Sequence, residues 1–187
     1  NGGSWGGEVE LPTAGSPVRE VRVRYSPVSA KLALVSLSDD GNIDAYTCRS
    51  GCANANAWTV TNNIGNVWAT AASQRRFDMD FETATGDLLV VFGVVNTSTD
   101  CDLLSITLPA NKYNFSGIDG VCIDDGSANG GSDLQYSWVN LDADPVSSSE
   151  ELLLVGFDST GSDAGAWIWN GNAWGNQQEL TAAATAT

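Results

Sequence analysis

An all-β fold assembled from about three repeated antiparallel units is what this sequence predicts, and three observations carry the expectation. Apolar and polar residues alternate with a period of two, short apolar runs are punctuated by Gly, Pro, Asn and Asp, and one pattern recurs along the chain. The first element of a unit shows the alternation: Val21, Val23 and Tyr25 are interleaved with Arg22 and Arg24, then Phe77, Met79 and Phe81 with Asp78 and Asp80. The second element is a continuous apolar run, at Leu32 to Val35, Leu88 to Phe92 and Leu152 to Val155, and such runs predict strands buried on both faces. Between them stand turn sequences, Ser-Pro-Val-Ser at 26–29, Asp-Asp-Gly-Asn at 39–42 and Thr-Ala-Thr-Gly-Asp at 83–87.

The repeat is visible as direct self-similarity. Tyr25 to Ser36 aligns on Phe81 to Phe92 at an offset of 56 without a gap, and Asp142 to Phe157 supplies a third copy. Acidic turns follow near Asp40, Asp102 and Asp163. Asn-Ala-Asn-Ala-Trp-Thr at 54–59 matches Asn-Gly-Asn-Ala-Trp-Gly at 170–175, and both match the opening Asn-Gly-Gly-Ser-Trp-Gly. Counted from these tryptophans, the single repeat domain 1–187 divides into units at approximately 5–57, 58–116 and 117–174, with a repeat length of about 53–58 residues and 175–187 starting a next unit. The middle unit lacks the phrase; Tyr113 or Phe115 takes the tryptophan's place.

Four-stranded units of about 40–50 residues with a tryptophan or glycine signature are the mark of a β-propeller blade. The chain resembles bacterial and archaeal extracellular propeller-type repeats that carry a W-x-G-x-x-W phrase beside an acidic turn, here Trp169-Asn-Gly-Asn-Ala-Trp174. The resemblance implies antiparallel propeller-like repeats, incomplete as a closed propeller because three units fall short of the usual four to eight blades. Sialidase-type propellers are the enzymatic relatives. Their acidic box, S-x-D-x-G-x-x-W, is matched here only at Asp39 and Gly41, with Leu37 in the serine position.

Composition narrows the function. Eight basic and 23 acidic side chains give a formal charge of -15, which argues against nucleic acid as a partner because phosphate contacts need clustered Lys and Arg. No run approaches the ~18 apolar residues of a membrane span, so membrane insertion is not expected. Asn1 in place of an initiator methionine reads as a chain already processed or excised. The absence of histidine removes Ser-His-Asp and Cys-His constellations, and nothing singles out a catalytic carboxylate pair. No cofactor is required by this reading. Four cysteines without paired knuckles favour disulfides over a metal site; local bridges 48–52 and 101–122 fit best among three pairings that spacing leaves open. With the sequons at Asn96 and Asn114, they point to an oxidising, extracellular or cell-surface setting.

The remaining candidates are weaker patterns. Asp39, Asp40, Asn42 and Asp44 alternate oxygen ligands as a calcium turn would, against the plainer reading of an Asx-rich hairpin. Trp167, Trp169 and Trp174 are either core or stacking platforms for a glycan. Arg22 and Arg24 fall on Asp78 and Asp80 at the repeat offset, so adjacent units would set a basic strip against an acidic one. Trp5 and Trp174 hold equivalent positions, which suggests that residues 170–187 pair with the first unit of another copy. The resulting expectation is a non-enzymatic structural or adhesive surface protein assembling head-to-tail into a filament. The alternatives are a carbohydrate-binding propeller lectin and a sialidase-like hydrolase.

Overall fold

The computed structural model describes residues 7–11, 16–67, 74–94, 101–126 and 135–181. Trp5 and Asn96 lie outside the described residues. Among the described residues twelve strands form three four-stranded antiparallel sheets, each a simple meander. The first holds β1 (Val18–Tyr25), β2 (Leu32–Ser38), β3 (Asn42–Cys48) and β4 (Trp58–Asn66). The second holds β5 (Phe77–Phe81), β6 (Leu88–Gly93), β7 (Leu103–Leu108) and β8 (Val121–Asp124), and the third β9 (Tyr136–Ala143), β10 (Glu151–Asp158), β11 (Asp163–Asn170) and β12 (Trp174–Glu179). Among the described residues no sheet closes into a ring, and no helix is long and apolar enough to cross a membrane.

The sheets stack in chain order. Ala33, Val35, Ile43 and Ala45 of the first sheet pack on Phe77, Met79, Phe81 and Val90 of the second. On the second sheet's other side, Leu89, Val91 and Leu103 meet Leu141, Leu152, Leu154 and Trp169 of the third. The middle sheet therefore turns one face to its predecessor and the other to its successor. Strand pairing fixes which residues are equivalent: Val23 lies opposite Leu34, Met79 opposite Val90, and Leu141 opposite Leu154.

This order corrects one sequence expectation. Only β6 is buried along its whole length on both faces; Leu32 and Leu34 of β2 are half-buried, and Leu153 and Phe157 of β10 are exposed. The cause is position in the stack. The apolar run is common to all three second strands, but only the middle sheet has neighbours on both sides.

Residues 170–187 are placed in part: Trp174–Glu179 is hydrogen-bonded to β11 as the outer strand of its own sheet, and residues 182–187 lie outside the described residues. Trp174 packs against the core between the second and third sheets, and its indole N–H donates to Ser105 Oγ at 2.8 Å. The same position in the first sheet is Trp58, which opens β4 and donates to the carbonyl of Cys52 at 3.0 Å. In the middle sheet Phe115 is buried in the core between the first and second sheets, ahead of β8, while Tyr113 remains half-exposed beneath Lys31.

Both disulfides are local, Cys48–Cys52 and Cys101–Cys122, with no free cysteine among the described residues. They span 4 and 21 residues, so chain entropy makes the second the more stabilising. Unfolded without reductant, the intact chain is expected to show no titratable thiol. Replacing Cys101 and Cys122 with serine should lower stability by ~3 kcal/mol, and replacing Cys48 and Cys52 by ~2 kcal/mol. Denaturant titration checks both; an equal or reversed ranking contradicts the loop-length argument.

Candidate functional site

The first strands of consecutive sheets lie side by side, and there the charged residues meet. Arg22 and Arg24 project from the face of β1 that turns to the second sheet, and they reach past β5. Arg22 Nε lies 3.5 Å from Asp78 Oδ1, and Arg24 Nε lies 3.5 Å from Asp80 Oδ1. Arg75 also pairs with Asp78, through Oδ2. The same carboxylates bind the next strand, since the N–H groups of Leu141 and Ala143 donate to Asp78 Oδ2 at 3.0 Å and Asp80 Oδ2 at 3.1 Å. Asp78 is wholly buried, so it joins three sheets at one point. These arginines are engaged in packing the stack rather than grouped around an open substrate site.

The acidic turn does not gather its oxygens. Asp39 accepts from Arg19 Nε at 3.0 Å, while Asp40 accepts from Ser38 Oγ at 2.5 Å and from the side-chain amide of Asn42 at 2.9 Å. These bonds hold the Asp40 carboxyl below the ordinary range. Asp44 is buried and accepts the N–H of Asn63 at 2.7 Å; burial pushes its carboxyl upward. This is the bonding of an Asx turn followed by a strand. Among the described residues no group of three or more His, Cys, Asp or Glu is placed to hold a metal. Asn114 of the second sequon is exposed in the loop before β8.

All three candidate tryptophans pack in or against the core between the second and third sheets. Trp169 is buried, donates to Glu82 Oε1 at 2.5 Å and stands 5.5 Å from the Trp174 ring. Trp167 is buried too, and also lines the floor of a cleft between β8 and the third sheet, shared with Asp124, Tyr136, Asp163, Gln178 and Glu179. Two glycines make room for its ring. Gly156 and Gly165 are cross-strand partners; a Cβ on Gly165 would lie 2.6 Å from Trp167 Cη2, and one on Gly156 would lie 2.8 Å from Tyr136 Cε1. The two rings meet edge to face at 6.1 Å. The Tyr136 hydroxyl donates to Asp124 Oδ2 at 2.7 Å, and burial followed by the Asp124 charge raises its pKa. Among the described residues the Trp167 indole N–H has no acceptor.

The rim of the cleft is acidic. Burial and then the neighbouring carboxylates of Asp158, Glu179 and Asp124 push the Asp163 carboxyl upward. A bulge opens the strand beside it. The β11–β12 register shifts between Ala166 and Ile168, and Asn176 takes a left-handed φ of 55°. The first sheet repeats the device: β4 is bulged opposite Ile43 and Ala45, and Asn63 has φ 54°. A second cleft lies there, between the first and second sheets, lined by Thr61, Asn62, Asn63, Ile106, Phe115 and Ser116, with a volume of about 290 Å³. Bulges are common next to binding sites because they re-aim side chains and end pairing.

In the sequence Trp167 stands out as a candidate platform, Asp163 and Phe115 only as marks of the repeat, and Asp124 only as one more acid of a loose calcium-turn pattern; nothing gathers them into clefts. A usable signal was present, since the polar runs Asn62-Asn63 and Asn176-Gln177-Gln178 interrupt strands within five residues of Trp58 and Trp174.

No family model matches the chain, and no curated protein sequence matches it. Among solved structures, it is similar to an arginine-to-alanine triple mutant of AofleA from Arthrobotrys oligospora, with a TM-score of 0.46 and 8% identity over 91% of this chain and 47% of that one. It is also similar to the fungal lectin of Aleuria aurantia, a six-bladed β-propeller with a fucose recognition mode, with a TM-score of 0.46 and 13% identity over 89% and 46% of the two chains. The chain spans about half the length of each.

Proposed function

We propose that this chain is a non-catalytic carbohydrate-binding module that acts outside the cell or at its surface. The observation that supports the reading most directly is the cleft beside the β12 bulge. Its aromatic wall is Tyr136 and Trp167, and its rim carries Asp124, Asp163, Gln178 and Glu179. Sugars present apolar C–H faces and a ring of hydroxyls. Aromatic ring carbons give apolar cover to the first, and carboxylate and amide oxygens accept from the second. The two disulfides support an oxidising compartment.

A glycan array probed with the 187-residue chain, followed by calorimetry on the retained sugars, tests the reading. Asp163→Ala and Gln178→Ala should each weaken binding at least tenfold while circular dichroism stays unchanged. No retained glycan, or affinities that ignore both substitutions, would refute it.

A further inference from the structure

We infer that the two outer faces of the stack bind each other between two copies of this chain, closing a ring of six sheets. The faces are left apolar and open. On the first sheet Val23 is 50% and Tyr25 65% exposed; on the third sheet Trp138 is 47%, Leu153 45% and Phe157 39% exposed.

The repeat shows what covers such faces. Val23 and Leu34 of the first sheet are equivalent to Met79 and Val90 of the second and to Leu141 and Leu154 of the third. In the second and third sheets this face is buried against the preceding sheet. In the first sheet it is the open face. Conversely, Leu153 and Val155 are equivalent to Leu89 and Val91, which the second sheet buries against its successor. Among the described residues the first sheet therefore has no predecessor on this face, and the third has no successor on its own. The third sheet of one copy has the surface that the first sheet of another would receive.

The polar contacts agree. Asp78 and Asp80 accept the N–H groups of Leu141 and Ala143 on the next first strand. Their equivalents on β9 are Asn140 and Asp142, both with acceptor oxygens on the open face of the third sheet. The N–H positions equivalent to Leu141 and Ala143 are Val23 and Tyr25 on the free edge of β1. Arg22 and Arg24 flank them. A second copy would bring acceptors to that edge.

Closure follows from counting. The contact is heterologous, so it either closes a ring or runs on. Rings of such sheets hold four to eight, and with the three sheets that the described residues of each 187-residue copy form, only two copies give a number in that range. This proposal is independent of whether the cleft takes a sugar.

The test is the mass of the 187-residue chain by light scattering across 0.1–100 µM. The expected species has twice the 19.6 kDa of one chain. Val23→Glu and Phe157→Glu, each on an exposed face, should each give a folded monomer. Mixed together, the two variants should recover a dimer, because one intact face of each can still meet. A wild-type monomer at every concentration overturns the proposal and assigns both faces to a different partner. An open-ended polymer, or Phe157→Glu dimers as tight as the wild type, overturns it as well; the latter would mean that first sheets pair with each other.

Discussion

Asp78→Ala should destabilise the folded chain by ~3–5 kcal/mol in urea or guanidinium titration, the range found when one partner of a buried ion pair is removed. Arg22, Arg24 and Arg75 all reach this carboxylate, and the buried N–H of Leu141 donates to it. Truncation takes from Arg75 its carboxylate partner, leaves Arg22 and Arg24 with only Glu20 and Asp80, and leaves a backbone donor without its acceptor. The proper control is Asp39→Ala. Its pair with Arg19 lies at the surface, where such contacts contribute ~0–1 kcal/mol and fade with salt. The Asp78 effect should persist in high salt because the site is shielded. If Asp78→Ala loses no more than Asp39→Ala, the three-sheet junction is not what holds the stack together.

Trp169→Ala should have an effect of similar size, ~3–5 kcal/mol, the usual cost of truncating a large aromatic in a packed core. It removes a ring from the core between the second and third sheets and strips buried Glu82 of its indole donor. The pH dependence separates these two losses. Burial, the largest cause, raises the Glu82 carboxyl above its ordinary value, opposed by hydrogen bonds from Thr85 and Trp169. A raised folded pKa means that the native state binds more protons than the unfolded chain, so stability falls as pH rises from the unfolded value through the folded one. Trp169→Phe keeps most of the packing but deletes the hydrogen bond, which pushes the Glu82 pKa higher still. Its cost should be ~1.5–3 kcal/mol at pH 7, the worth of a bond to a charged group, and should shrink near pH 4, where the carboxyl is protonated in both states. A loss that does not change between pH 4 and 7 would show that the indole–carboxylate bond contributes nothing.

The sheet content was legible because it rests on local pattern. Phe77, Met79 and Phe81 alternate with Asp78 and Asp80, and a meander needs nothing from distant sequence to set that period. The meeting of Arg22 with Asp78 was legible for a different reason. An offset of 56 places them at equivalent positions, and stacking equivalent strands brings such positions together. What the pattern could not reveal is where a unit stands in the stack. Leu34, Val90 and Leu154 look alike as sequence, yet the first is half-exposed and the others are buried. The cleft was hidden for a third reason. Asp124, Tyr136, Asp163 and Glu179 come from four strands of two sheets, and a carboxylate on an outer strand reads as a solvated one until folding places an aromatic wall beside it.

The charge change along the first strands also makes the three units non-interchangeable. All share one apolar scheme, so by packing alone any unit could follow any other. Arg22 and Arg24 give way to Asp78 and Asp80, and these to Asn140 and Asp142, so that each strand carries a mark of its place. Duplicating the first unit into the second slot would set arginine against arginine, and duplicating the second would stack carboxylates at the same spot. The ion pairs thus act as an address, written in the sign of two side chains, that fixes the order in which otherwise similar sheets are read into the stack.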